Sequence, residues 1–337
     1  MMNNLWLNQG IGFLLGVASG LFVPIVSKFF TNKYHGLRSK LEKHHDFHAE
    51  EIKFLQLNAW SERRQLTEDK VMVSFDDRPW DQNWCDDEEL KHLKNNLENQ
   101  GGSSSTLRSI SIDHRESESG QQLKLSFAPS MYGDLISVAE YFRRHPDGID
   151  HVLKRFSHEN TKDVIHGAPQ SVASMNVTIM TADLKLLAVH RSGAVQTSPN
   201  AWTLGPNETM LGAIPASGGV ETPFELARRC LDEEVNLAVL DSDRLQISWV
   251  GYDVPNAQLS FVAHFRTHLR SSEVEQRMAE SHASFEFDQI AWIPANNKTV
   301  HKIISSIRSQ KPDEDGRLWF RNAALAAHEW RRWRRAL

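Results

Sequence analysis

The 337-residue sequence predicts an α+β protein carrying a single membrane-crossing helix near its start, and three observations lead there. From Leu5 to Val26 the chain is apolar, uncharged from Gly10 onward, and long enough to cross a hydrocarbon core of roughly 30 Å as a helix. Between residues 176 and 264, short runs of β-branched and apolar residues are separated by turns, the pattern of half-buried strands. Between two groups of these strands, Ile214–Leu237 begins as a glycine-bearing turn and ends as an amphipathic helix rich in carboxylates.

Composition narrows the class. A net charge of -5 argues against stable nucleic-acid binding. The two cysteines, Cys85 and Cys230, offer neither a disulfide framework nor a zinc pattern, which suits a reducing cytosol.

Residues 1–32 are expected to be the transmembrane helix. The start MMNNLWLNQ has no basic side chain, unlike a cleaved signal. Lys28, Lys33, Arg38, Lys40 and Lys43 follow the span, so the positive-inside rule puts the N-terminus out and the soluble part in the cytoplasm, single-pass in the cytoplasmic membrane. Trp6 and Tyr34 suit interfacial anchoring among the membrane lipids. Gly12, Gly16 and Gly20 repeat a GxxxG step on one face, which predicts a homo-oligomer through that face. Residues 33–70 read as a charged, helical juxtamembrane stalk. His44 and His48 share a helix face there, a spacing more often met on a solvated helix than at a metal.

Residues 71–171 read as an accessory α+β region without a recognised motif. Strands are expected at Val71–Phe75 and Leu123–Phe127, and helices at Glu88–Glu98, Tyr132–His145 and Asp150–Phe156. Gly101–Ser105 and the charged run after it read as a flexible linker.

The last segment, 172–337, carries the chemistry. Strands are expected at Asn176–Thr181, Leu184–Arg191, Leu245–Gly251, Leu259–His264 and Phe285–Pro294, with closing helices at Val300–Ser309 and Arg321–Trp333. The carboxylate helix has a full set of start signals: Thr222 to cap, Pro223 at the first position and Glu225 to complete a capping box. Asn236 stands where a left-handed residue closes a helix. Phe224, Ala227, Leu231 and Val235 form the buried stripe, and Arg229, Glu233 and Glu234 are expected to project from the last turns. The final Trp330–Arg335 run alternates Trp with Arg, fitting either an anionic leaflet or a helix dipole.

The helix resembles the Nudix box, G-x5-E-x7-R-E-U-x-E-E-x-G-U, where U is a bulky aliphatic. Glu221, Arg229, Leu231, Glu233, Glu234 and Leu237 match. Pro215 stands for the first Gly, Cys230 for the Glu after Arg, and Asn236 for the last Gly; Gly218-Gly219 offers a rival register with Glu225. The flanking order is similar too. The second strand ends in His190 and Arg191, Trp202-Thr203-Leu204 resembles the W-x-L/F segment before the box, and Glu286 and Asp288 precede Trp292 in a late strand.

This resemblance implies a Nudix-like α/β/α sandwich with a mixed sheet over residues 172–337, and a Nudix-type diphosphate hydrolase. Its cofactor would be Mg2+ or Mn2+ and its ligand a nucleotide-type small molecule, a nucleoside diphosphate linked to another group. It further implies Glu233 and Glu234 as metal ligands, with Glu208, Glu225 or Asp232 in place of the carboxylate that Cys230 lacks. Arg229, paired with Glu221, would orient the carboxylates, and Glu286 or Asp288 would act as base. Arg191, Trp202, Glu208, Gly218 and Gly219 would meet the ligand. The alternative is a catalytically degenerate Nudix-like sensor of a nucleotide that controls a membrane-helix effector.

Overall fold

The computed structural model describes residues 54–59, 66–76, 88–97, 103–113, 122–145, 164–166, 172–195, 199–211, 221–240, 243–253, 256, 258–280 and 286–334. The expected span with Gly12, Gly16 and Gly20, most of the stalk, the 150–156 helix, Pro215, Gly218 and Gly219 lie outside the described residues. Among the described residues no helix is long and apolar enough to cross a membrane.

The chain from 54 to 166 supplies strand β1 (Phe54–Ala59), a single 3-10 turn (Glu68–Lys70), β2 (Val71–Phe75), α1 (Glu88–Leu97), β3 (Ser103–Asp113), β4 (Gln122–Met131), α2 (Tyr132–Arg144) and β5 (Val164–His166). Strands β2, β4, β3 and β5 make a four-stranded sheet in that order, β2 parallel to β4 and the other pairs antiparallel. Two expectations change here. Residues 54–59 are a strand, not the end of a helical stalk, because Leu55, Leu57 and Ala59 alternate with Gln56 and Asn58 at period two. Ser103–Ser105 open the eleven-residue β3 rather than a linker. Backbone pairing along the whole of β4 decides that segment, overriding the loop-like look of its serines.

From 172 onward come β6 (Val172–Met180), β7 (Lys185–Arg191), β8 (Trp202–Thr203), β9 (Asn207–Thr209), α3 (Pro223–Val235), β10 (Arg244–Asp253), β11 (Gln258–Arg266), α4 (Ser271–Met278), β12 (Phe287–Pro294), α5 (Asn297–Ser309) and α6 (Arg321–Arg334). The main sheet runs β1-β10-β11-β6-β7-β12, with β8 on β7 and β9 on β6. Only the β11–β6 contact is parallel among these pairs, so the sheet is mixed, as expected.

Alternation along the strands gives this sheet two different faces. Met175, Val177, Ile179, Phe261, Ala263 and Phe265 join one core with Phe224, Leu226, Ala227, Leu231 and Val235 of α3. Ile110, Leu123, Leu125 and Phe127 of the small sheet belong to the same core. The intervening residues of β6, β10 and β11 face α6, to which they are tied by Trp333 Nε1 donating to Gln246 Oε1 (2.8 Å) and by Arg321 donating to Asp253 (2.7 Å). Helix, sheet and helix thus stack as three layers.

Candidate functional site

Helix α3 starts as its sequence dictates. Thr222 Oγ1 accepts from Glu225 N–H (3.2 Å), and the Glu225 carboxylate accepts from Thr222 N–H (2.7 Å), with Pro223 in the first turn. Asn236 closes the helix in the left-handed region at φ 55°.

Around this helix the structure gathers Glu208, Glu221, Glu233, Glu234, Glu286, Arg191 and Arg229. Glu208 arrives on β9, which a tight turn at Gly205 delivers. That glycine sits at φ 85°, and a Cβ there would run into the Val177 carbonyl, so no other residue fits. Arg191 ends β7, and Glu286 directly precedes β12, paired alongside.

Arg229 is the hub. Its Nε donates to Glu221 Oε1 (2.7 Å), and Nη2 donates to Glu221 Oε2 (3.1 Å) and to the Thr209 carbonyl (2.7 Å). Nη1 donates to Glu233 (3.2 Å) and lies 3.4 Å from Glu208. Glu221 is only 3 % exposed and also accepts from Leu211 N–H (3.0 Å). Burial works against the Arg229 charge, but the Glu221 bond and the surrounding carboxylates outweigh it and raise its pKa.

Glu234 departs from its expected outward position. It is 1 % exposed, because the covered face of α3 is wide enough to include Leu226, Cys230 and Glu234 beside the stripe. Its carboxyl accepts from Asn207 N–H and lies 3.9 Å from the Cys230 thiol, one helical turn below. Burial, then the nearby Glu286 and Glu208, push the Glu234 pKa well above the carboxylate range. Burial first, with Glu234 beside it, likewise raises the Cys230 thiol. Glu208 and Glu286 are shifted upward too, each by burial first and then by neighbouring carboxylates, with Arg229 and Arg191 respectively opposing.

The remaining expected ligand contacts fall on the opposite face. His190 Nδ1 pairs with Asp288 (2.5 Å), and its ring lies 5.3 Å from that of Trp202. Trp202 is 9 % exposed, packed near Trp319 (6.3 Å) and under the Arg317 guanidinium (5.3 Å), so its ring is a packing element. Glu225 is committed to the cap. Trp330 and Trp333 are buried against the sheet, which removes them from any contact with a lipid leaflet.

Whether these residues fit a magnesium or manganese ion can be judged from their donors. Carboxylate oxygens are the right chemistry for a hard cation. Yet among the described residues no three His, Cys, Asp or Glu side chains converge as a metal group. Glu208 and Glu233 are turned to Arg229, Glu234 is sealed under Asn207, and the Cys230 position presents a protonated soft thiol. The set as arranged does not fit the ion. Arg229 faces Glu221, Glu233 and Glu208, and Arg191 offsets Glu234 and Glu286, so the cluster holds more carboxyl groups than guanidiniums. Sequence reasoning found the Glu221–Arg229 spacing. It missed the Asn207 amide and the bidentate Arg228–Glu68 pair, which joins α3 to the 3-10 turn ahead of β2; neither has a local signal.

No family model matches the chain, and no curated protein matches it. Solved structures with similarity include a Deinococcus radiodurans protein, DR0079 (14% identity, 47% of this chain and 81% of that one, TM-score 0.32). A MutT protein from Methanosarcina mazei shows 14% identity over 47% of this chain and 93% of its own, with a TM-score of 0.28. The Nudix domain of Shewanella oneidensis NrtR, complexed with ADP ribose, shows 11% identity over 48% and 86%, also at 0.28.

Proposed function

We propose that residues 172–334 form a Nudix-like domain that binds a nucleotide-type ligand and serves as a sensor, with recognition rather than turnover as its task. One observation carries this. Of the carboxylates that the box pattern assigns to metal, the first is replaced by Cys230 and the last, Glu234, is buried and hydrogen-bonded within the protein. In this reading the buried Arg191 meets a diphosphate and the exposed Glu233 a ribose hydroxyl. The N-terminal span anchors the domain at the cytoplasmic face of a membrane and receives its signal, and the glycine face of that span pairs copies of the chain.

Magnesium-assisted hydrolysis of a nucleoside diphosphate derivative is the second reading. The mutual electrostatic coupling of Glu208, Glu233, Glu234 and Glu286 favours it, since excess negative charge in one place is what a divalent cation relieves.

The test is to purify the full chain in detergent and incubate it with nucleoside diphosphate derivatives and nucleotide second messengers, with magnesium, with manganese or with chelator. Thermal shift reports binding and chromatography reports product. The expected result is stabilisation by one ligand class that persists in chelator, vanishes in Arg191→Ala and yields no product. Metal-dependent product that disappears in Glu234→Gln would establish the hydrolase instead.

A further inference from the structure

The face of the main sheet under α6 is built unlike an ordinary core. Gln246 of β10, His264 of β11 and Thr178 of β6 stand opposite one another in a row across three strands. Asn176 lies one same-face step along β6 from Thr178. All four are buried, His264 completely and Thr178 to within 1 %. Above them, Trp333 stacks on His264 (ring centroids 5.2 Å apart, 16° between planes) and binds Gln246, while Trp330 is wholly buried.

The hydrogen bonds of this layer leave a defined remainder. Ser248 Oγ lies 3.3 Å from the Val262 carbonyl and 2.9 Å from His264 Nε2, so the Nε2 side of the imidazole is satisfied and Nδ1 is left over, as donor or acceptor according to the tautomer. His264 Nδ1, Asn176 Oδ1, Thr178 Oγ1, Gln246 Nε2 and Trp330 Nε1 have no hydrogen-bond partner among the described residues. Asn176 Oδ1 only accepts, Gln246 Nε2 and Trp330 Nε1 only donate, the threonine hydroxyl does both, and the imidazole nitrogen takes either part with its tautomer. A buried polar atom left in this condition is strongly disfavoured, and five on one interface call for a common partner.

We infer that the interface between α6 and strands β6, β10 and β11 is an internal water site, a hydrated seam whose molecules bridge His264, Thr178, Gln246, Asn176 and Trp330. Water matches the remainder, being small, neutral and both donor and acceptor. A charged guest would not suit a neutral imidazole and two amides. The seam makes α6 the more separable layer of the domain: beside its buried alanines and indoles it rests on a polar row that bulk water can satisfy, whereas α3 rests on an apolar core. This inference stands apart from the ligand reading, since none of its residues belongs to the carboxylate cluster.

A near-isosteric variant of the full chain tests it through the sign of a Tm change. Thr178→Val deletes one seam hydrogen-bonding group while keeping the shape. If water bridges these groups, the variant melts lower, by about 2–4 °C for every kcal/mol lost. Hydrogen exchange of α6 amides then runs faster than that of α3 amides in the wild type. If Thr178→Val melts higher, the deleted hydroxyl was unsatisfied in a dry interface and the inference is overturned. Equal protection of α6 and α3 would overturn the separable-layer part. Failure of the ligand panel would leave both readouts unchanged.

Discussion

The two helices that sandwich the main sheet, α3 and α6, are held by opposite means. Helix α3 lies on Met175, Val177, Ile179 and Phe265, with one hydrogen-bonded hub, Arg229, at its edge. Helix α6 lies on Gln246, His264 and Thr178, with indoles and alanines supplying its apolar part. The same strands serve both, since every second residue of β6 changes face. The difference teaches where this domain can afford change. The α3 side fixes the positions of charged groups to within a hydrogen bond, as a recognition site needs. The α6 side is stitched by polar contacts that water can replace.

The largest effect is expected on the α3 side. Arg229→Ala leaves Glu221 buried without its counter-charge and should cost about 3–5 kcal/mol in urea denaturation. Adding Glu221→Gln to that variant should recover part of the loss, because the stranded charge is then gone. If Arg229→Ala were as mild as a surface substitution, the hub would not organise the site.

The two faces should also answer pH in opposite directions. Burial holds the His264 pKa down to about 3 against an ordinary 6.5, so the folded state refuses a proton that the unfolded chain accepts. Its contribution to stability is complete above 6.5 and is lost as pH falls toward 3, with a slope of up to about 1.4 kcal/mol per pH unit. Glu234 is the reverse case. Its raised pKa contributes stability that is full below 4.5 and is lost as pH rises above it. Denaturation series across pH 3–8 should therefore lose their acid-side slope in His264→Gln and their higher-pH decline in Glu234→Gln. Exchanged outcomes would mean the two faces have been assigned the wrong way round.

Smaller effects separate helix formation from site formation. Thr222→Ala removes the cap of α3 and should cost about 1 kcal/mol while leaving ligand affinity nearly intact. Glu68→Gln weakens the partly exposed pair with Arg228 and should cost less than about 1 kcal/mol, fading with added salt. A loss of ligand response in Glu68→Gln at unchanged stability would show that this pair couples the site to the segment before β2.

Much of α3 was legible in the sequence because helix ends obey local rules. Thr222, Pro223, Glu225 and Asn236 act within a few residues of themselves, and the structure shows each in the expected place. The strands from 172 on were legible for a similar reason, their period-two alternation. The burial of Glu234 was not, since it depends on Asn207 and on how wide a face the sheet covers, neither of which is local to the helix. Nor was the polar row of Gln246, His264 and Thr178, whose alternation reads as a solvent face until a helix more than fifty residues further on is laid across it. Segments 54–59 and 103–105 were misread because their pairing partners, β10 and β4, lie elsewhere in the chain. Charged or serine-rich surroundings hid them.

The most direct test of recognition without turnover is isothermal titration of the full chain with the ligand that stabilises it, in chelator and then in magnesium, each sample being recovered for chromatography. Saturable heat in chelator, similar affinity in magnesium and unchanged ligand afterwards is the predicted result. Heat that appears only with magnesium, accompanied by cleaved ligand, would contradict the account and make the carboxylate cluster a metal-dependent hydrolytic centre.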